Sequence, residues 1–220
     1  MTIAEPPKAW EHPPVLLLKG IAWGVYASLR EQLDKSRQRM YLTYDRGALE
    51  IMAPSPFHEK YKRLLGRFLE IMSLELNIPI ASFGSTTFQR EDIERGLEPD
   101  ECYYIQHEPQ MGAKFEIDLL KDPPPDLAIE MDYSPHAIDR ESVYAALGVP
   151  EIWQYDGARL AGMARSADGS YSVIESSIAF PFLRLADVER YLRESRSLRE
   201  DVAVRAFRDW VLRTFAPRQP

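Results

Sequence analysis

EPDECYYI, residues Glu98–Ile105, and PPPDLAIEMDYS, residues Pro123–Ser134, each carry carboxylates where a strand needs none, and each has proline at or near its start. In the second run Leu127, Ile129 and Met131 alternate with acidic Asp126, Glu130 and Asp132. The two-residue period of a strand then places the apolar set on one face and the carboxylates on the other. Like charges crowded on one face repel unless a cation or bound protons offset them, and hard divalent cations take oxygen ligands. Asp100, at the start of the first strand, completes a candidate metal site if the two strands are neighbours.

Upstream, Ser55 stands where a helix N-cap belongs and Pro56 at the first helical position. Tyr61, Leu64, Leu65, Phe68, Leu69 and Met72 then recur at three- and four-residue steps, predicting a helix that ends near Asn77, ahead of Pro79. His58 shares the stripe of Tyr61, Leu65 and Phe68, and reads either as a core-edge histidine or as a contact with the site. Lys60, Arg63 and Arg67 line a different stripe, a solvated face or a row that meets a phosphate backbone. Before this helix, Ile21–Leu33 is expected to be helical. Met40–Tyr44 and Ala48–Met52 flank Asp45-Arg46-Gly47 as a hairpin.

Beyond it, strands are expected over Ile78–Phe83, Thr86–Arg90 and Glu101–Gln106, with Asp92–Leu97 a polar loop. Lys114–Leu120 stays open between a short strand and an adornment. Asp139–Leu147 reads as a helix closed by Gly148 and Pro150. Strands follow at Glu151–Tyr155, Arg159–Met163 and Tyr171–Glu175. Helices follow at Leu185–Arg193 and Leu198–Phe215, the second with Ala203, Phe207, Trp210, Val211 and Phe215 on one side, facing the sheet or a second subunit. Strands and helices interspersed in this way argue for a mixed α/β sheet.

The 220 residues, 45% of them hydrophobic, suffice for one domain with extensions. The expected division is an irregular N-terminal arm over residues 1–20, proline-rich to residue 14, a main domain over 21–195, and a C-terminal amphipathic helix and tail over 196–220. A single cysteine, Cys102, excludes an intrachain disulfide framework and fits a reducing compartment. The N-terminus lacks the basic-then-apolar pattern of a secretion signal, so a cytoplasmic protein with no membrane segment is expected. A net charge of −7 argues against a generic nucleic-acid coat protein but allows a local basic groove. No Walker or dinucleotide pattern occurs, and four scattered histidines with one cysteine give no zinc spacing. That leaves carboxylates with magnesium or manganese, with a glycosidase carboxylate pair as the competing enzyme reading.

The runs LEIMAPSPFHEKYKRLLGRFLE, GSTTFQRED, GLEPDECYYI, PPPDLAIEMD and YAALGVPEIWQYDG, in this order and spacing between about Tyr41 and Leu183, resemble the Uma-type restriction endonucleases, a bacterial branch of the PD-(D/E)XK nuclease superfamily. The resemblance implies a restriction-endonuclease-like core, a mixed central β-sheet flanked by helices, and Mg2+-dependent (or Mn2+-dependent) hydrolysis of phosphodiester bonds in DNA. It implies Asp100 as the motif aspartate and Glu130 as the acidic residue of the E-X-K element. These two would hold the metal with the carbonyl of Met131, and His58 would face the site. A homodimer is common in such a superfamily. Asp132 occupies the lysine place of E-X-K, where it would tune or share the site. The displaced lysine position falls on Arg140, four residues before Tyr144. Arginine can stabilise developing charge but, with a pKa above about 12, cannot act as a general base. The second reading is therefore a catalytically weakened nuclease fold that binds nucleic acid or protein.

Overall fold

The computed structural model describes residues 15–53, 56–132 and 136–216. The elements are β1 (Val15–Lys19), α1 (Trp23–Ser36), β2 (Tyr41–Asp45), β3 (Ala48–Met52), α2 (Pro56–Leu76), β4 (Ala81–Ser82), β5 (Phe88–Arg90), β6 (Arg95–Leu97), β7 (Glu101–Tyr104), α3 (Glu108–Met111), β8 (Leu127–Met131), α4 (Arg140–Leu147), β9 (Glu151–Tyr155), β10 (Leu160–Arg165), β11 (Tyr171–Ile174), α5 (Leu185–Glu194) and α6 (Glu200–Phe215). They build a five-stranded sheet in the order β1-β3-β2-β6-β5 and a six-stranded sheet in the order β11-β10-β9-β8-β7-β4. The first is antiparallel throughout. The second is mixed, because β8 and β9 run parallel while its other pairs are antiparallel.

Local chemistry explains most of these elements. The β2–β3 hairpin turns through Arg46 and Gly47, both at positive φ (45° and 91°), the backbone that matches the twist of the flanking strands. In α4, the Asp139 side chain accepts from the Ser142 N–H at 3.2 Å, and Gly148 closes the helix at φ 84°. Two parallel neighbours cannot be joined by a tight turn, and α4 lies in the crossover between β8 and β9. That crossover also decides where the first residues of α4 lie relative to β8.

Both faces of the six-stranded sheet are covered. On one, Leu127, Ile129 and Met131 pack with Leu65, Phe68 and Leu69 of α2 and with Val188, Leu192, Phe207 and Val211 of α5 and α6. On the other, Cys102, Ala128 and Ile152 pack with Val143, Tyr144 and Leu147 of α4 and with Phe88 and Leu97 of the smaller sheet. Leu127, Ile129 and Met131 thus share one face of β8 and Glu130 lies on the other, as the alternation implies, but both faces are covered. All five residues of β8 are buried, as is usual for a strand in a parallel pair covered on both sides. A third cluster joins α1 to the hairpin, with Tyr26 stacked on Tyr44 at 4.8 Å. Gly96 of β6 lies against the Tyr26 ring, where any Cβ would collide with it.

Several expectations shift. Val15–Lys19 is not part of an irregular arm: its residues pair with Met52–Ala48, giving the five-stranded sheet its outer strand. Within 92–97, expected as a loop, Arg95–Leu97 is β6, inserted between β2 and β5. The strand expected over 78–83 is reduced to Ala81–Ser82, and Lys114–Leu120 contains no strand. The stripe on α6 packs mainly on neighbouring helices. Phe207 stacks on Phe68 of α2 at 4.3 Å and packs edge-on to Tyr191 of α5 at 5.4 Å. The N-cap expected at Ser55 and the arm over 1–14 lie outside the described residues.

Phe68 is fully buried between α2 and α6. Phe68→Ala should lower the unfolding free energy by about 3–5 kcal/mol, the usual cost of emptying so large a space. Urea denaturation should show the midpoint falling with the slope unchanged.

Candidate active site

The antiparallel register of β7 and β8 pairs Glu101 with Ile129, so Asp100 and Glu130 come beside one another at the next step. Asp100 donates its N–H to the Ile129 carbonyl at 3.0 Å. In return, its Oδ2 accepts the Met131 N–H at 2.7 Å. The carboxylate is therefore fixed by the strand it faces. Asp100 is 2% exposed and Glu130 6%, so both have lost most of their hydration.

Each carboxylate has its own set of partners. Around Asp100, Nε2 of His58 sits 3.2 Å from Oδ2, and the Tyr41 hydroxyl is hydrogen-bonded to the carboxylate. Around Glu130, the Arg140 guanidinium and the Tyr144 hydroxyl both donate to Oε1. Arg140 and Tyr144 lie four residues apart on α4, one turn stacked on the next. Arg140 is also bound to Thr43 Oγ1 in β2 and to the Glu98 carbonyl, the latter at 2.8 Å. It thus ties α4 to both sheets. The Glu98 side chain turns the other way, accepting from Thr87 Oγ1 at 2.7 Å and from Arg30.

The electrostatics follow from this burial. Desolvation, reinforced by the charge of Glu130, raises the Asp100 carboxyl well above the usual range. Burial pushes His58 down to about 4, so at neutral pH the ring is uncharged and its contact with Asp100 is not an ion pair. For Arg140, burial acts to lower the pKa, but the charge and hydrogen bond of Glu130 together with the neighbouring Tyr144 and Asp100 outweigh it and keep the guanidinium more firmly protonated than usual. Asp132, half-buried beside this group, is raised by burial. Its Oδ1 lies 3.8 Å from Nε2 of His136, whose Nδ1 is 2.8 Å from buried Glu50.

Beside the site opens a cleft of about 380 Å³, lined by Arg30, Arg37, Arg39, Tyr41 and Glu98. Arg37 and Arg39 are exposed at its edge. Tyr41, which lies beside Asp100, is among its lining residues.

Residues 27–199 match the model of a protein family described as Uma2, putative restriction endonuclease. The chain belongs to the Uma2 family. The mixed sheet with helices on both faces is the restriction-endonuclease-like fold expected of it. No curated protein matches the chain. No helix among the described residues is long and apolar enough to cross a membrane.

In this Uma2 chain Asp100, Glu130, Arg140 and His58 converge, and Asp132 borders them. Asp126, the third carboxylate of the strand pattern, does not join them. It accepts the N–H groups of Ile105 and His107 at 2.7 and 2.9 Å and so closes the end of β7. Lys60, Arg63 and Arg67 face solvent on α2. Lys62, which the stripe reading passed over, is the buried one, 5% exposed, with Nζ 3.3 Å from the Tyr41 hydroxyl. Its four-residue spacing from His58 was the available signal. Tyr41, Thr43 and Tyr144 carried none, since aromatic and β-branched residues fill any sheet core.

Among the described residues no group of three or more His, Cys, Asp or Glu side chains is gathered so as to hold a metal ion. The donors are two carboxylates and the Met131 carbonyl, which accepts a hydrogen bond from His58. These hard oxygen donors fit a divalent cation such as magnesium. The mutual repulsion that raises Asp100 is the strain such a cation would relieve.

Arg140→Met should cost about 3–5 kcal/mol, because Glu130 is left buried without its counter-charge. Tyr144→Phe should cost about 1.5–3 kcal/mol, one bond to a charged group. Urea midpoints of the two variants measure the difference. His58 titrates lower in the folded chain, about 4 against an ordinary 6.5. Its contribution is therefore complete above pH 6.5 and is lost as pH falls toward 4, by on the order of 3 kcal/mol. Unfolding measured from pH 7 to 4 should lose this slope in His58→Gln.

Proposed function

We propose that this chain is a divalent-metal-dependent endonuclease hydrolysing phosphodiester bonds in DNA, with Asp100 and Glu130 as the carboxylates that hold Mg2+ or Mn2+ and Met131 adding its carbonyl. The observation that carries this reading is the convergence of two buried carboxylates, on neighbouring strands of a restriction-endonuclease-like fold, next to a cleft edged with arginine. When bound, a divalent ion polarises a phosphoryl oxygen and lowers the pKa of a coordinated water. The chain itself supplies position and charge. The Met131 N–H and the neutral His58 ring orient Asp100. Arg140 and Tyr144 orient Glu130. Asp132, at the partly open side, tunes the field of the pair. Arg37 and Arg39 give a phosphate backbone its approach to a chain of net negative charge. The single buried thiol fits a cytoplasmic setting.

One observation favours the alternative of a weakened nuclease fold acting as a binding module. Glu130 is clamped by an arginine and a tyrosine, and that arginine stands where the family resemblance places a lysine. The two readings separate in a plasmid-nicking assay with magnesium or manganese. Asp100→Ala and Glu130→Ala should lose on the order of 100-fold or more in rate. Arg140→Lys should gain activity, because it restores the amine that the resemblance places there, and an ammonium can give up a proton near neutral pH where a guanidinium cannot. Equal traces of cleavage in all four proteins would favour the binding module.

A further inference from the structure

Both Nη atoms of Arg140 are committed. One Nη holds Thr43, and the other holds both Glu130 and the Glu98 carbonyl. Its Nε is buried with no acceptor among the described residues, so no part of the group is turned toward the cleft as a ready donor. To reach a substrate phosphate the guanidinium would have to release three acceptors in a dry interior, one of them a charge.

Lys62 is in the opposite condition. Its side chain is 6% exposed, yet its closest recorded partners are the Tyr41 hydroxyl at 3.3 Å and the half-exposed Glu59 carboxylate at 3.8 Å. Charge-assisted bonds to an ammonium are normally about 2.7–2.9 Å. A buried lysine kept only for structure should hold such a bond, since removing an ammonium from water is costly unless it is paired. Lys62 instead keeps donors in hand. It stands one turn after His58 on α2, and its charge acts on both Asp100 and His58. Tyr41, whose hydroxyl its ammonium reaches, also lines the cleft.

Resting on the nuclease reading above, we propose that the cation contacting the reacting phosphate is Lys62 of α2, while Arg140 is a positioning residue that holds Glu130. Lys62 donates a hydrogen bond from Nζ to a non-bridging oxygen of the phosphodiester and exchanges no proton. The long contact to Glu59 gives way, and the Tyr41 hydroxyl guides the amine. The ligand class is a nucleic-acid phosphodiester entering through the cleft edged by Arg37 and Arg39.

The test compares full-length wild type, Lys62→Met, Lys62→Cys and Glu130→Ala for plasmid nicking, and for binding of a fluorescent duplex in Ca2+. Lys62→Met should lose on the order of 100- to 1,000-fold in kcat with KM and duplex binding little changed. Treating Lys62→Cys with 2-bromoethylamine rebuilds an ammonium of nearly the same length and should recover at least tenfold. Because position 62 is nearly as buried as Cys102, the alkylation is carried out on urea-unfolded protein that also carries Cys102→Ala, which is then refolded before assay. If Lys62→Met nicks at the wild-type rate while Glu130→Ala does not, the Lys62 assignment falls and the nuclease reading stands. If wild type and Glu130→Ala are equally inactive, the nuclease reading falls and takes the assignment with it. Should Lys62→Met fail to fold, the Lys62→Cys protein before and after alkylation decides. A folded, alkylated protein with no recovered rate overturns the proposal.

Discussion

The rest of this structure depends on two carboxylates kept out of water at one end of adjacent strands. An ionised carboxylate in a protein interior needs donors or counter-charge, and the chain provides both from four directions. The strand itself gives the Met131 N–H to Asp100. The long helix α2 brings His58, and the crossover helix α4 brings Arg140 and Tyr144. The small sheet brings Tyr41 and Thr43. Helix, crossover and second sheet are thus held at a shared point by polar bonds as well as by their apolar faces.

This arrangement gives the two carboxylates different characters. Asp100 is raised by burial and by its neighbour's charge, and its ring partner His58 stays neutral. Glu130 is matched by a guanidinium that its charge keeps protonated. A buried carboxyl raised as Asp100 is, close to a cleft that Tyr41 lines, is typical of functional sites. The clamp on Glu130 and the loosely held amine of Lys62 divide the cationic work between two helices. One cation fixes Glu130 in place, and the other has only longer contacts, to Tyr41 and Glu59.

Other buried carboxylates show what a purely structural role looks like here. Glu151 accepts the Trp153 indole N–H at 2.6 Å and the backbone N–H groups of Ile178 and Ala179 at 2.9 and 2.7 Å. Asp126 likewise gathers the backbone of Ile105 and His107. Both are surrounded by backbone donors from one loop and tie it down. Asp100 and Glu130 are met mainly by side chains from separate elements.

Much of this was legible in the residue order. The three- and four-residue recurrence from Tyr61 to Met72 determined α2, and Arg46-Gly47 between β-prone runs determined the hairpin. Asp139 and Gly148 bounded α4. The spacing of Asp100, Glu130 and Arg140 within the recognised runs marked the polar centre. These are local signals, set by backbone propensity and side-chain period. The tertiary structure decided what period could not. Alternation on β8 set Glu130 on the face opposite Leu127, Ile129 and Met131, but only the βαβ crossover, folding α4 over that face, decides that it is buried. Asp126 is separated from Glu130 because a loop's orphan N–H groups reach it first. Lys62, one residue among several cations on α2, is set apart from Lys60 and Arg63 only because the small sheet closes over it through Tyr41. Which of several like charges is desolvated depends on what packs against it from distant parts of the chain, and that information exists only in three dimensions.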